Sequence, residues 1–160
     1  MDPMERLFAE RACERVIVDF VHRLDLGEPA SVAELFTEDG VWEWPPPGDG
    51  RRIRGREALR GYFGSRPADR LSRRLMSNVL VTVTGPRTAR SVAYFTTYRV
   101  DGHEGPGAPV PAGPPVQVGH YEDTFRRVDG SWLIASRTLH LPFGGPTPTA
   151  AGALTGKPVS

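Results

Sequence analysis

A chain of 160 residues has the length of one ordinary domain, enough for a single core to bury most of its apolar surface. Twenty Lys plus Arg against nineteen Asp plus Glu leave a formal charge of +1, which removes the electrostatic case for nucleic acid or an acidic membrane as partner. All but one of the basic residues are arginine, an excess that together with abundant Gly, Pro and Ala points to a GC-rich genome rather than to a binding patch. The lone Cys13 excludes an internal disulfide and a CxxC metal site and reads as a small buried side chain. The start "MDPMERLFAERACERV" is charged and amphipathic, and no stretch approaches the roughly 18 apolar residues of a membrane span. The expectation is a soluble, cytoplasmic protein.

Leu7, Phe8, Cys13, Val16, Ile17, Phe20, Val21 and Leu24 recur at helical spacing and predict a long first helix over residues 4–24 with one wide apolar face. After "DLGEPA", the segment "SVAELFTED" predicts a short helix opened by a capping box of Ser31 and Glu34. "DGVWEWPPPG" switches to alternation and stops at three prolines, as a strand running into a loop does. "GREALRGYFGSR" predicts a third helix. Beyond residue 72 the runs 74–84, 90–100, 116–128 and 131–141 are rich in Val, Thr, Tyr and Phe and predict strands, the last two joined at a "DG" turn. Helices followed by an antiparallel sheet define an α+β domain with helices on one sheet face. The Gly/Pro-rich segment 101–115 reads as a long hairpin loop, either a flexible excursion or a lid over a pocket. The end "GGPTPTAAGALTGKPVS" is either disordered or an arm laid across the body.

The order "DLGEPASVAELFTEDGVWEWP", "IRGREALRGYF", "SRRLMSNVLVTV", "GHYEDTFRRVDGSWLIASRTL" resembles the SnoaL-like branch of the nuclear transport factor 2-like superfamily, whose members include scytalone dehydratase, ketosteroid isomerase and polyketide cyclases. The resemblance covers about residues 5–142. It implies a domain over 1–143 followed by a flexible tail over 144–160, folded as a cone in which a curved antiparallel sheet wraps around the N-terminal helices. It also implies an apolar small-molecule pocket and a homodimer through the outer sheet face.

The resemblance places Trp42 and Trp44 inward on the first strand. Alternation along the strands then turns Arg74, Met76 and Asn78 inward on the next long strand, Tyr94, Thr96 and Tyr98 on the third, Gly119, Tyr121, Asp123 and Phe125 on the fourth, and Ile134, Ser136, Thr138 and His140 on the last. Phe20, Leu24 and Asp25 look from the first helix into the same space. An aromatic cavity holding a few polar groups has the composition of a small-molecule site, and a purely apolar core would have no use for Asp25, Arg74, Asn78, Tyr98, Asp123 and His140 together.

Asp25 stands where dehydratase-like relatives keep an Asp that supports a catalytic His, but that His position is Arg74 here. A guanidinium stays charged and cannot shuttle a proton at neutral pH. Arg74 therefore either neutralises Asp25, or also grips an anionic or carbonyl oxygen. The isomerase pattern fits less well, since its Tyr donor and Asp base align with Phe20 and Trp44. Asp25, Asp123 and His140 remain as proton carriers, with Asp123 the better acid if it lies away from Arg74. His140 could equally be a structural histidine, His120 is expected to face a dimer partner, and Trp42 and Trp44 either stack on a ring or fill the cone. No metal-ligand spacing, phosphate loop or dinucleotide fingerprint appears. The reading is a cofactor-independent lyase or isomerase, of the dehydratase or cyclase type, acting on an aromatic or polycyclic intermediate of secondary metabolism. A non-catalytic binding or scaffolding protein, or an epoxide hydrolase-like enzyme, are the alternatives.

Overall fold

Helix α1 (Pro3–Asp25) begins where Asp2 caps it: the Asp2 carboxylate accepts from the Glu5 N–H (2.8 Å), and Glu5 reaches back to the Asp2 N–H (2.9 Å). In this computed structural model, which describes residues 1–111 and 113–150, its buried stripe is Ala9, Cys13, Ile17, Phe20, Val21 and Leu24. The stripe starts at Ala9 rather than at Leu7, and Phe8 is 67% exposed. The capping box expected at Ser31 is absent. Pro29–Leu35 forms a 3-10 helix in which the Ser31 hydroxyl donates back to the Glu28 carbonyl (2.7 Å), while Glu34 is taken by Arg23 (3.1 Å).

Strand β1 (Phe36–Trp44) turns at the prolines and pairs with a short β2 (Arg51–Arg54) that alternation did not reveal; α2 (Arg56–Gly64) follows. The remaining strands β3 (Leu71–Gly85), β4 (Thr88–Val100), β5 (Gln117–Val128) and β6 (Ser131–Gly144) lie close to the expected spans. They form one sheet in the order β2-β1-β6-β5-β4-β3. The pairing of β1 with β6 is parallel, so the sheet is mixed rather than wholly antiparallel. Its inner face packs on α1, the 3-10 helix and α2, with Phe20, Phe36 and Phe63 in mutual ring contact at the centre. This is the curved sheet wrapped around N-terminal helices that the resemblance implied.

Two irregularities decide which side chains face inward. In β3 the register against β4 slips between Ser77 and Leu80, and Asn78 sits at φ 49°. In β6 one extra residue, Ala135, lies between the partners of Thr124 and Phe125. A one-residue slip turns every later side chain to the other face. Asn78 is therefore exposed at a bulge instead of lining a pocket. Because its left-handed backbone is tolerated by Asn and Gly but strained for other residues, Asn78→Gly is expected to leave stability unchanged, while Asn78→Val should lose about 1–2 kcal/mol in urea denaturation. Gly119 permits close approach of β6: a Cβ there would lie 2.1 Å from the His140 carbonyl oxygen.

Residues 145–150 run along the body. The Asp101 N–H donates to the Pro148 carbonyl (3.0 Å), Ala150 returns a bond to Asp101 (2.7 Å), and the Arg99 guanidinium donates to Thr147 (2.9 Å). The rest of the tail, 151–160, lies outside the described residues, as does Ala112 within the 101–115 loop. That loop is anchored at its start by the His103 N–H donating to the Asp69 carbonyl (2.9 Å). Among the described residues no helix is long and apolar enough to cross a membrane.

Candidate functional site: an arginine-rich aromatic cavity

A cavity of about 350 Å³ opens between α1, the segment following α2 and the inner sheet face. Phe20, Leu24, Trp42, Trp44, Phe63 and Leu139 supply its apolar wall. Tyr62 packs against Trp42 (5.1 Å between ring centroids), and Tyr121 stacks on Phe95 (4.6 Å), so two tyrosines complete an aromatic lining. Burial raises the Tyr121 hydroxyl above its ordinary pKa, which keeps it a neutral hydrogen-bond donor.

Five guanidinium groups share this small space: Arg51, Arg66, Arg70, Arg74 and Arg99. Three have carboxylate partners. Arg74 pairs with Asp25 (2.5 Å), Arg70 with Asp101 (2.6 Å) and Arg51 with Asp49 (3.0 Å). The first pair is the most enclosed, with both side chains less than one-tenth exposed. Asp25 accepts three bonds there, from the Arg74 side chain (2.5 Å), the Arg74 N–H (2.6 Å) and the Ser72 hydroxyl (2.6 Å). Arg66 joins the same network by donating to the Ser72 hydroxyl. The hydrogen bond from Arg70 holds the Asp101 carboxyl below its usual range.

Arg66 and Arg99 have no carboxylate within ion-pair distance among the described residues. Burial, then repulsion from Arg74, lowers Arg66 to about 10; burial, then Arg70 and Arg74, lowers Arg99 to about 10. Both remain charged at neutral pH. The cavity thus carries two uncompensated positive charges, an arrangement that favours an anion.

The inner face holds a second ion pair, behind the cavity wall. Arg137 and Asp123 are completely buried and joined by two parallel bonds of 2.7 Å, with the Ser91 hydroxyl adding a third contact to Asp123 at 3.2 Å. The Arg137 guanidinium packs over two rings, 4.2 Å from the Phe20 centroid and 4.4 Å from that of Tyr121. Burial opposes its charge, but the Asp123 charge and hydrogen bonds outweigh it and raise Arg137 above its ordinary value. Asp123 serves here as a counter-ion, which corrects the acid role expected for it.

The structure brings Phe20, Leu24, Trp42, Trp44, Arg74 and Tyr121 together at the cavity, with Asp25 behind Arg74. Met76 packs on the core and Phe125 is buried, and neither lines the cavity. Tyr94 and Tyr98 were expected inward but stand 50% and 40% exposed on the outer face, because the inner residues of β4 are Ala89, Ser91, Ala93, Phe95, Thr97 and Arg99. Arg74 pairs across the ladder with Thr97, not Tyr98. Ser136 and His140 were also expected inward; the bulge at Ala135 turns both outward, where Ser136 bonds Thr124 (2.6 Å) and His140 stacks on His120 (4.5 Å).

Sequence reasoning missed Arg51, Tyr62, Arg66, Arg70, Ser72, Arg99 and Arg137. Ser72 was legible, since it shares the parity of Arg74. Arg66 and Arg70 lie in the connection between α2 and β3, where no periodicity says which way a side chain points.

A curved, open mixed sheet wrapped over helices, with a cavity on its inner face, is the nuclear transport factor 2-like architecture. The SnoaL-like domain model matches residues 5–138, and the chain belongs to that family. Among solved structures it is similar to a candidate scytalone dehydratase from Novosphingobium aromaticivorans DSM 12444, at 22% identity over 92% of this chain and 96% of that one, with a TM-score of 0.72. It is also similar to a variant of a function-unknown protein from Mycobacterium tuberculosis (27% identity, 84% and 77% covered, TM-score 0.65). A third neighbour is the hexachlorocyclohexane dehydrochlorinase LinA-type3 from Novosphingobium barchaimii LL02 (14% identity, 91% and 94% covered, TM-score 0.67). No curated protein gives a significant sequence match.

Proposed function

We propose that this protein is a cofactor-independent lyase or isomerase, of the dehydratase or cyclase kind, acting on a planar aromatic intermediate that carries an anionic oxygen. The carrying observation is the aromatic cavity with two guanidinium groups left without carboxylate partners beside the Asp25–Arg74 pair. Its volume, about 350 Å³, is near the lower end for small-molecule sites and favours a one- or two-ring substrate. The dehydratase and dehydrochlorinase names of two structural neighbours support an elimination.

In this reading a substrate carboxylate or carbonyl oxygen competes with Asp25 for the Arg74 guanidinium. As Arg74 turns onto the substrate, Asp25 is freed to accept the proton from a carbon next to the carbonyl. The electron pair moves onto the carbonyl oxygen, where Arg66, Arg74 and Arg99 stabilise the enolate. The enolate then either expels a leaving group or takes the proton back at another carbon. Exposed Leu75, Leu80, Val92 and Tyr98 on the outer face of β3 and β4 support a homodimer through that face.

One observation favours the second reading, binding without turnover: no carboxylate or imidazole lines the cavity directly among the described residues. Deuterium uptake from D₂O into aryl ketones bearing a carboxylate, followed by proton NMR, separates the two. The enzyme reading expects exchange that Asp25→Asn cuts by about 100-fold or more, the scale of general base catalysis, while naphthalene-2-carboxylate still quenches Trp42 and Trp44. Binding of that probe with no exchange on any member of the panel would establish the second reading.

A further inference from the structure

The outer sheet face carries a separate cluster that this mechanism does not use. His120 on β5 and His140 on β6 are direct cross-strand partners, and their rings stack at 4.5 Å. Glu122 lies two residues along β5 on the same face, with its carboxylate oxygens 3.8 Å from His120 Nε2 and 3.4 Å from His140 Nε2. The three ligand atoms all lie within 4.8 Å of one another. Linear spacing gives no hint of this set, because the hairpin, not the local sequence, brings residue 140 beside residue 120.

Two observations separate the cluster from an ordinary surface group. Glu122 is the only carboxylate among the described residues whose ion-pair partners are histidines, in a chain whose other paired acids are met by arginine. His140 Nε2 is shut off from solvent and has no hydrogen-bond partner among the described residues, although a Glu122 carboxylate oxygen lies 3.4 Å away. A nitrogen lone pair without a donor, a second imidazole and a carboxylate form a complete set of protein ligands for a metal that prefers N and O donors.

We propose that His120, Glu122 and His140 bind a divalent first-row transition-metal ion of the zinc class on the outer face of the sheet. Around zinc at roughly 2.0–2.2 Å tetrahedral ligand atoms lie about 3.4 Å apart, so the widest separation in the cluster, at most 4.8 Å, has to shorten by up to about 1.4 Å. Both rings are about one-third exposed. Water would complete the coordination shell. Tyr121 and Leu139, the neighbours of the two histidines, point the opposite way into the cavity. The ion would therefore clip β5 to β6 directly behind the cavity wall.

Isothermal titration of the untagged full-length chain with zinc sulfate tests the site. One equivalent should bind, and His120→Gln and Glu122→Gln should each weaken it by roughly 100-fold or more, beyond the loss that removing an outer hydrogen-bond partner causes at metal sites. His103→Gln should leave it unchanged. In the wild-type protein, ring resonances of His120 and His140 should shift together on titration while those of His22 and His103 stay fixed, a readout that needs no variant to fold. The proposal is overturned if binding is not saturable, if it survives in the His120→Gln/His140→Gln double variant, or if the shifting resonances are those of His22 or His103.

Discussion

Asp123→Asn is expected to cost the fold about 3–5 kcal/mol, because it removes one partner of a fully buried ion pair and leaves the other without its counter-charge. Arg137 has no route to solvent among the described residues: its side chain is 0% exposed, two of its nitrogens are committed to Asp123, and Nη1 has no hydrogen-bond partner there. The amide of Asn would present one acceptor where two are needed and turn an N–H towards the guanidinium. Phe20 and Tyr121 hold Arg137 in place through their ring faces but cannot neutralise it. A domain of this size has only about 5–15 kcal/mol to lose, so the variant should unfold at markedly lower urea, read through tryptophan fluorescence. Replacing both partners, Asp123→Leu with Arg137→Met, should recover part of the loss, since no isolated charge remains buried. A cost below about 1 kcal/mol for Asp123→Asn would show that water or a backbone shift reaches Arg137.

The same pair shows where reading the sequence stops. The strands were legible because alternation of Val, Thr, Tyr and Phe marks them, and the "DG" turn at Asp129 and Gly130 fixes where β5 folds onto β6. Counting outward from that turn pairs Phe125 with Ile134 correctly and would set Asp123 opposite Ser136. The extra residue Ala135 shifts the register by one, so Asp123 meets Arg137, and Ser136 and His140 move to the outer face. Nothing about an alanine in a strand announces a bulge. In β4 the difference has another cause: size suggests that the tyrosines face inward, whereas the small Ala89, Ser91 and Ala93 are the buried residues, and Tyr94 and Tyr98 occupy the open side. Asp25 with Arg74 was legible through the resemblance, which sets Asp25 beside the strand position that Arg74 occupies, and the two pair at 2.5 Å. Arg66 and Arg70, carried by an irregular connection, were not.

Those connecting residues lead to the second large effect. Arg66→Met and Arg99→Met are each expected to weaken binding of naphthalene-2-carboxylate by roughly 10–100-fold, the equivalent of a charge-assisted hydrogen bond worth about 1.5–3 kcal/mol. The neutral naphthalene-2-carboxamide should bind the wild type weakly and the variants no differently. The two arginines are held down to about 10 by burial and by neighbouring arginines, so they are charged at neutral pH at a cost to the empty protein. Affinity for the carboxylate should therefore hold through neutral pH and fall as pH rises through about 10, where the folded protein releases these protons. Removing either charge relieves the repulsion, and the unliganded variants should melt at the wild-type temperature or roughly 2–4 °C above it, the shift that about 1 kcal/mol gives a chain of this length. Weaker binding with undiminished stability is the signature of a group placed for a ligand. Arg66 also donates to Ser72, the residue that supports Asp25, and Arg99 donates to Thr147. If those bonds were the purpose of the two side chains, each variant would instead lose several degrees, and the amide would bind as well as the carboxylate.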